Sequence, residues 1–290
     1  MSFHEKGLAY LLVASALMSL DAVFIRLSGL HGFAPSFLFG FFSLVSMTSL
    51  TRWREGPLVA AVKASGPILI LSGAIMGVSG TAFVLAVQNT TVANVLLIMS
   101  LSPFFSALFS WILLQERITT QTALATLLSI GGMYIIVQGS LASDGVTGDI
   151  LAVICTMAVS LNFVVYRKYP KLSRSLAVAA GGFFIALFAS FFIETGDFDT
   201  RGILIMMIMG LFSAPVGRML MAMATRLMPA PEVSLISQVK VAIAPAIMWL
   251  VFAEVPNQAT FMGGSLILLA ALGHPLLTLY RNRQKPAQQT

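Results

Sequence analysis

Charge, cysteine and histidine are all scarce in this sequence, and each shortage removes a class of protein. Charged residues make up 10% of the 290 positions, against about 25% in soluble domains, so the chain cannot clothe a core of its size in a water-facing shell. The single cysteine, Cys155, rules out an intramolecular disulfide framework. The three histidines, His4, His31 and His274, have no metal-ligand spacing, which removes zinc and redox centres. No Gly-x4-Gly-Lys-Ser/Thr loop is present, so no ATP site is expected and no cofactor is implied. The net charge of +6 sits in short segments between apolar runs. It forms no continuous basic stripe, and nucleic acid is excluded as a partner.

What the chain has in abundance is apolar: 58% of its residues, with a mean hydropathy of +0.91. Runs of about 20 apolar residues, each long enough to cross a bilayer's hydrocarbon core, recur from end to end. They fall at 7–29, 34–51, 66–87, 91–114, 120–138, 149–168, 175–193, 202–225, 229–252 and 258–280. The first run is read as a span rather than a cleaved leader, because it is too long, carries Asp21 and Arg26, and lacks a small-residue cleavage site. Turn-forming residues separate the runs: Gly32 and Pro35, Glu55-Gly56-Pro57, Asp144-Gly145, Thr195-Gly196-Asp197, Pro229 and Pro231, and Pro256-Asn257. The expected fold is therefore an all-α polytopic membrane protein of ten transmembrane helices, with the lipid bilayer as its solvent.

Lysine and arginine set the expected orientation, since positive loops stay in the cytoplasm. With both termini cytoplasmic, the inner segments hold Lys6, Arg52, Arg54, Lys63, Arg117, Arg167, Lys168, Lys171, Arg174, Arg226, Arg281, Arg283 and Lys285. That is thirteen of the seventeen basic residues. The outer loops hold Arg201, along with Asp144, Asp149, Glu194, Asp197, Asp199 and Glu254. This places the chain as a multi-pass protein of a cell (inner) membrane.

The two halves of the chain repeat. Pro103 to Glu116 can be laid without a gap on Val241 to Glu254, so that Trp111 meets Trp249 and Glu116 meets Glu254. Ser19 to Arg26 lies on Ser160 to Arg167 at nearly the same offset. These matches divide the chain into a first five-helix unit, 1–140, and a second, 141–290. Five is odd, so the second unit enters the membrane from the opposite side, an inverted repeat. Two such halves can exchange shapes, which gives inward-open and outward-open states of similar energy. Small-residue clusters, among them Gly73 with Gly77 and Gly80, Gly131-Gly132 and Gly181-Gly182, read as helix-contact surfaces rather than ligand loops.

An ionisable side chain at mid-membrane costs about 2.5–3.5 kcal/mol on insertion scales, so it requires a partner, a wet cavity or a function. Lys240 lies in the middle of the ninth run, with Ser237 one helical turn back and Gln238 close by. It reads either as the ammonium that binds a substrate anion or as a structural partner of Asp21 or Glu232. Arg218, beside Pro215 and Gly217 in the eighth run, faces either the same cavity or the inner headgroups. Glu232 is two turns before Lys240 and close to the water, while Asp21 is just past the middle of the first run. Asn94 and Asn162 offer neutral hydrogen bonds, to a solute or to neighbouring helices. Arg26 is near enough to the outer surface to reach it.

The fourth run carries Thr90-Thr91-Val92-Ala93-Asn94, then Ser102-Pro103, then Leu113-Leu114-Gln115-Glu116-Arg117-Ile118, and a glycine-bearing fifth run with Gly131-Gly132 follows. This pattern resembles the ten-helix, EamA-like members of the drug/metabolite transporter superfamily. Gln238 to Glu254 is similar to a second copy, with its proline at Pro245. In the first run, Met18-Ser19-Leu20-Asp21 stands where that family commonly has a Trp-Gly pair. The resemblance implies a secondary transporter of a small organic metabolite, such as an amino acid or another carboxylate-bearing solute, and no enzyme activity. Coupling to protons, through Asp21 or Glu232, or to a counter-substrate stays open, and a monomer and a homodimer are both compatible. A non-transporting scaffold or sensor, and a membrane-embedded enzyme, are the competing readings.

Overall fold

In the computed structural model, the described residues are 3–115, 145–193, 198–224 and 239–253, with short pieces within 127–138 and 258–269 and single positions at 227 and 237. Among them the regular structure is helical throughout. The first span is built from α1 (Phe3–Ser19) and α2 (Asp21–Ser28), the second is α3 (Ala34–Glu55), and α4 (Leu58–Ser65) connects it to α5 (Ile68–Asn89), the third. The fourth comprises α6 (Val92–Met99) and α7 (Ser102–Leu114). The sixth is α8 (Val146–Lys168) and the seventh α9 (Arg174–Ser190). The eighth runs from α10 (Thr200–Ile208) through a π turn (Met209–Ser213) into α11 (Ala214–Ala224), and α12 (Val239–Phe252) belongs to the ninth.

Six of these stretches are long and apolar enough to cross a membrane, and Arg174–Ser190 is a shorter apolar helix. The protein is an all-α polytopic membrane protein. Most of the expected fifth and tenth spans, with the start of the ninth, lies outside the described residues.

Helix ends follow local chemistry. Thr91 accepts from the backbone N–H of Asn94, Ser173 from that of Leu176, and Asp199 from those of Arg201 and Gly202, which satisfies donors at three helix starts. The second span runs past the apolar stretch 34–51 to Glu55. Hydropathy marks where lipid ends, whereas the helix ends only at Gly56, whose φ of 87° a side chain would resist. Segment 58–65, expected as loop, is helical between Pro57 and Gly66.

Three spans are interrupted near their middles. The first breaks at Leu20 and the fourth at Ser100-Leu101, just before Pro103. In the eighth, Pro215 has no N–H for the carbonyl of Leu211, and the Ser46 hydroxyl donates to that carbonyl at 2.6 Å.

The helix neighbours exchange in pairs. The first span packs on the eighth as the sixth packs on the third; the sixth meets the fourth as the first meets the ninth. Likewise the seventh packs on the third and the second on the eighth, and the second and seventh pack on each other. At that last crossing the exchange holds residue by residue. A Cβ placed on Gly40 would meet Gly182 O at 2.6 Å, Ala186 N at 2.5 Å and Ile185 Cβ at 2.9 Å. One placed on Gly182 would meet Gly40 O at 2.7 Å, Leu44 N at 2.7 Å and Ser43 Cβ at 3.2 Å. Gly40 and Gly182, Ser43 and Ile185, and Leu44 and Ala186 share a single sequence offset, so each contact has its mirror. Reciprocal contact of equivalent residues is the mark of a two-fold axis.

Candidate functional site

Beside this axis lies a cavity of about 90 Å³, room for several waters. Its wall is largely apolar, with Met18, Phe39, Met76, Phe83, Met99 and Phe163 among its residues. Set into it are Asp21, Arg218, Asn162, Tyr166, Ser43 and Ser79. Met99 is the residue whose carbonyl Pro103 leaves without its helical donor.

Asp21 opens α2 immediately after the break in the first span, a place where the helix dipole favours a negative charge. Its side chain is 2% exposed, and Arg218 Nη2 stands 3.9 Å from Asp21 Oδ2. The guanidinium of Arg218 lies over the Phe39 ring, 4.7 Å from its centroid, which adds a cation–π attraction. Ser213, in the π turn, donates to the Leu17 carbonyl at 2.8 Å, with Asp21 Oδ1 3.3 Å away. Of the two placements the sequence allowed Arg218, cavity or headgroups, the structure has the cavity.

Asn162 is the repeat equivalent of Asp21, and its surroundings repeat too. Ser72 donates to Asn162 Oδ1 at 2.7 Å. Ser72 and Ser213 are separated by the same number of residues as Asp21 and Asn162, so one serine-to-acceptor contact occurs twice about the axis. Tyr166, one turn beyond Asn162, puts its hydroxyl 3.2 Å from Met76 Sδ.

Asn94 sits elsewhere. It is buried at the start of α6, where its Nδ2 is 3.4 Å from Thr90 Oγ1 and 3.5 Å from Asp149 Oδ1. Thr90 donates to Asp149 Oδ1 at 2.9 Å, and Arg26 Nη2 donates to the Thr90 carbonyl at 2.8 Å. This group ties the first, fourth and sixth spans at one end of the bundle. Arg26 thus reaches a carbonyl just past the end of α5, where a helix end leaves carbonyls without partners. Asp149, expected among loop acids, is 1% exposed within α8. A cleft of about 590 Å³ bordered by Arg26, Gln88, Asn89, Thr90, Thr91, Gly145 and Phe252 opens beside it.

Ser237 is buried but does not line the cavity. Glu232 and Gln238 lie outside the described residues. Lys240 is the second residue of α12, and its side chain also lies outside them. At the end opposite Arg26, Glu55 Oε1 accepts from Ser173 Oγ at 2.9 Å and Ser175 Oγ at 2.6 Å, joining the second and seventh spans.

The model of the EamA-like transporter family matches this sequence twice, over residues 5–138 and 146–274. The chain belongs to the EamA-like transporter family. A stretch of 133 residues is 26% identical to solute carrier family 35 member G1 of Homo sapiens. That stretch covers 46% of this EamA-like chain and 36% of the human protein, so the match spans little more than a third of that relative's length. A solved structure described as "Crystal structure of protein" covers 94% of this chain and 98% of its own, with a TM-score of 0.67 at 18% identity. That likeness speaks for the fold alone.

Membership places this multi-pass membrane protein in a family of transporters. A guanidinium and a carboxylate held 3.9 Å apart in an apolar wall are suited to exchange partners, because the separation leaves most of the Arg218 donors uncommitted to Asp21.

Proposed function

We propose that this protein is a secondary carrier that moves a small carboxylate-bearing metabolite, amino acids included, by alternating access across a cell membrane. The observation that carries the reading is the Asp21–Arg218 pair in the cavity beside the two-fold axis. Arg218 would take the solute carboxylate through its forked donors, and Asp21 would then face an amino group or take up a proton. Lys240, Gln238 and Glu232 are proposed to complete the cavity from the ninth span. Ser237 is kept as a candidate beside Lys240, and Asn94 is assigned to helix contacts. The units are 1–140 and 141–290, inverted with respect to each other, with both termini cytoplasmic.

Flux of labelled amino acids and short carboxylates into proteoliposomes tests this. The expected result is solute-dependent counterflow that Arg218→Gln abolishes and Lys240→Ala weakens, each in protein that purifies as a monodisperse species. A folded protein that exchanges none of them supports the scaffold or sensor reading instead.

A further inference from the structure

Hydroxyls within these spans usually close locally. Ser19 donates to the Ser15 carbonyl at 2.6 Å, Thr51 to that of Met47 at 2.7 Å and Thr156 to that of Ala152 at 2.6 Å. The carbonyl four residues back is the nearest partner a helical hydroxyl has where water is scarce. Ser43 departs from this habit. It lies in the interior of α3, is 2% exposed, and its Oγ has no hydrogen-bond partner among the described residues. Ser15, Ser36 and Thr81 share that lack, but Ser43 alone of the four lines the central cavity.

Its position is fixed by the crossing of the second and seventh spans, where backbone meets backbone at Gly40 and Gly182. Across the axis the equivalent residue is Ile185, also in the cavity wall, so the two halves present a hydroxyl on one side and an alkyl group on the other. Phe39, which carries the Arg218 guanidinium over its ring, is one turn before Ser43 on the same face of α3. The guanidinium and the hydroxyl therefore belong to the same cavity wall. A buried hydroxyl left unpaired is costly, and a solute that supplies the missing partner recovers that cost on binding.

We propose that Ser43 is a specificity-determining residue of the cavity, pairing with a second polar group of a solute whose carboxylate is held by Arg218. The ligand class is a short carboxylate that also carries a hydroxyl or carbonyl group. This rests on the reading of the cavity as the solute site.

Two matched pairs of probes test it: 4-hydroxybutyrate against butyrate, and 4-oxopentanoate against pentanoate, titrated into the purified full-length protein. The wild type is expected to prefer the polar member of each pair by about fivefold, the worth of one net hydrogen bond. Ser43→Ala should bring that ratio below about twofold while leaving the affinity for butyrate and pentanoate unchanged. A ratio that survives in Ser43→Ala, or no binding of any probe to the wild type, overturns the proposal. Arg218→Gln should weaken all four probes alike. If it weakens none while Ser43→Ala still removes the ratio, the Arg218 reading of the cavity fails and the role of Ser43 stands. As a measure independent of ligand, Ser43→Cys in a Cys155→Ala background should react with a small anionic thiosulfonate about tenfold faster than Ser36→Cys, since reactivity follows access. Equal rates remove Ser43 from the solute path.

Discussion

Adding one methyl group at Gly182 should be among the most damaging small changes available to this protein. The new Cβ would stand 2.7 Å from both Gly40 O and Leu44 N, whereas ordinary contact begins at 3.4 Å. Both obstacles are backbone atoms, so no side-chain rotation relieves them, and the second and seventh spans must separate by about 0.7 Å at their crossing. Overpacking of this kind costs about 1–3 kcal/mol. In lipid, where helix association depends on close van der Waals contact at small residues, the upper part of that range applies. Gly131→Ala is the control, because among the described residues its Cβ would meet nothing nearer than Leu266 Cδ2 at 3.7 Å. Replacing a helical glycine there should be neutral or stabilising by up to about 1 kcal/mol. Two-fold symmetry adds a sharper demand: Gly40→Ala, with obstacles at 2.5 and 2.6 Å, should cost the same as Gly182→Ala to within about 1 kcal/mol, the spread of such core changes. Unfolding of the three variants in a fixed detergent, followed by denaturant titration, supplies the comparison. A Gly182→Ala protein as stable as Gly131→Ala refutes the backbone-contact reasoning, and a large cost at only one of Gly40 and Gly182 refutes the symmetry.

The Asp21–Arg218 pair should behave as a buried ion pair. Arg218→Gln alone should cost about 3 kcal/mol by removing a counter-charge from a buried carboxylate, and adding Asp21→Asn should recover much of it; melts that show no coupling between the two changes would dismiss the pair. Thr90→Val removes the hydroxyl that donates to Asp149 and should cost about 1–3 kcal/mol, with Asp149→Asn costing less because an acceptor remains; equal melting of Thr90→Val and wild type counts against the network. Single cysteines in a Cys155→Ala background, labelled from outside intact cells with an impermeant maleimide, should react at position 144 and stay unlabelled at 171; the reverse pattern inverts the orientation.

The spans were legible because the bilayer imposes a length on apolar runs, but depth along a span is all that such a run reports. Gly131-Gly132 and Gly181-Gly182 give the same signal in the sequence. In the structure, a Cβ on Gly182 would stand 2.7 Å from another backbone, while one on Gly131 would meet nothing among the described residues nearer than 3.7 Å. The break in the fourth span and the wide turn in the eighth were foreshadowed by Pro103 and Pro215; the break at Leu20 has no such marker. Depth left Asn94 open between a solute and neighbouring helices; it lies at the start of the fourth run and joins a network there. Depth also left the partner of Asp21 open between Lys240 and others, since azimuth around a helix decides partners and hydropathy is blind to azimuth. Ser43 and Tyr166 carry no charge to raise them above the apolar background, so only their place in the cavity wall marks them.

Comparison of the two halves separates scaffold from chemistry. Where equivalent residues agree in kind, as with Gly40 and Gly182 or Ser72 and Ser213, they hold the bundle: a backbone contact in one case, a serine donor in the other. Some of the positions where they differ lie on the cavity wall. Asp21 has Asn162 as its equivalent and Ser43 has Ile185, and all four line the same space. At the same offset as Asp21 and Asn162, the counterpart of Arg218 is Gly77, which is packed against Phe184 and leaves no room for a side chain. The described cavity thus takes its carboxylate, its guanidinium and its unpaired hydroxyl from positions where the repeat is broken. A symmetric frame can change between two equivalent shapes, but recognising a solute with distinct ends requires unlike groups on the two sides of the axis.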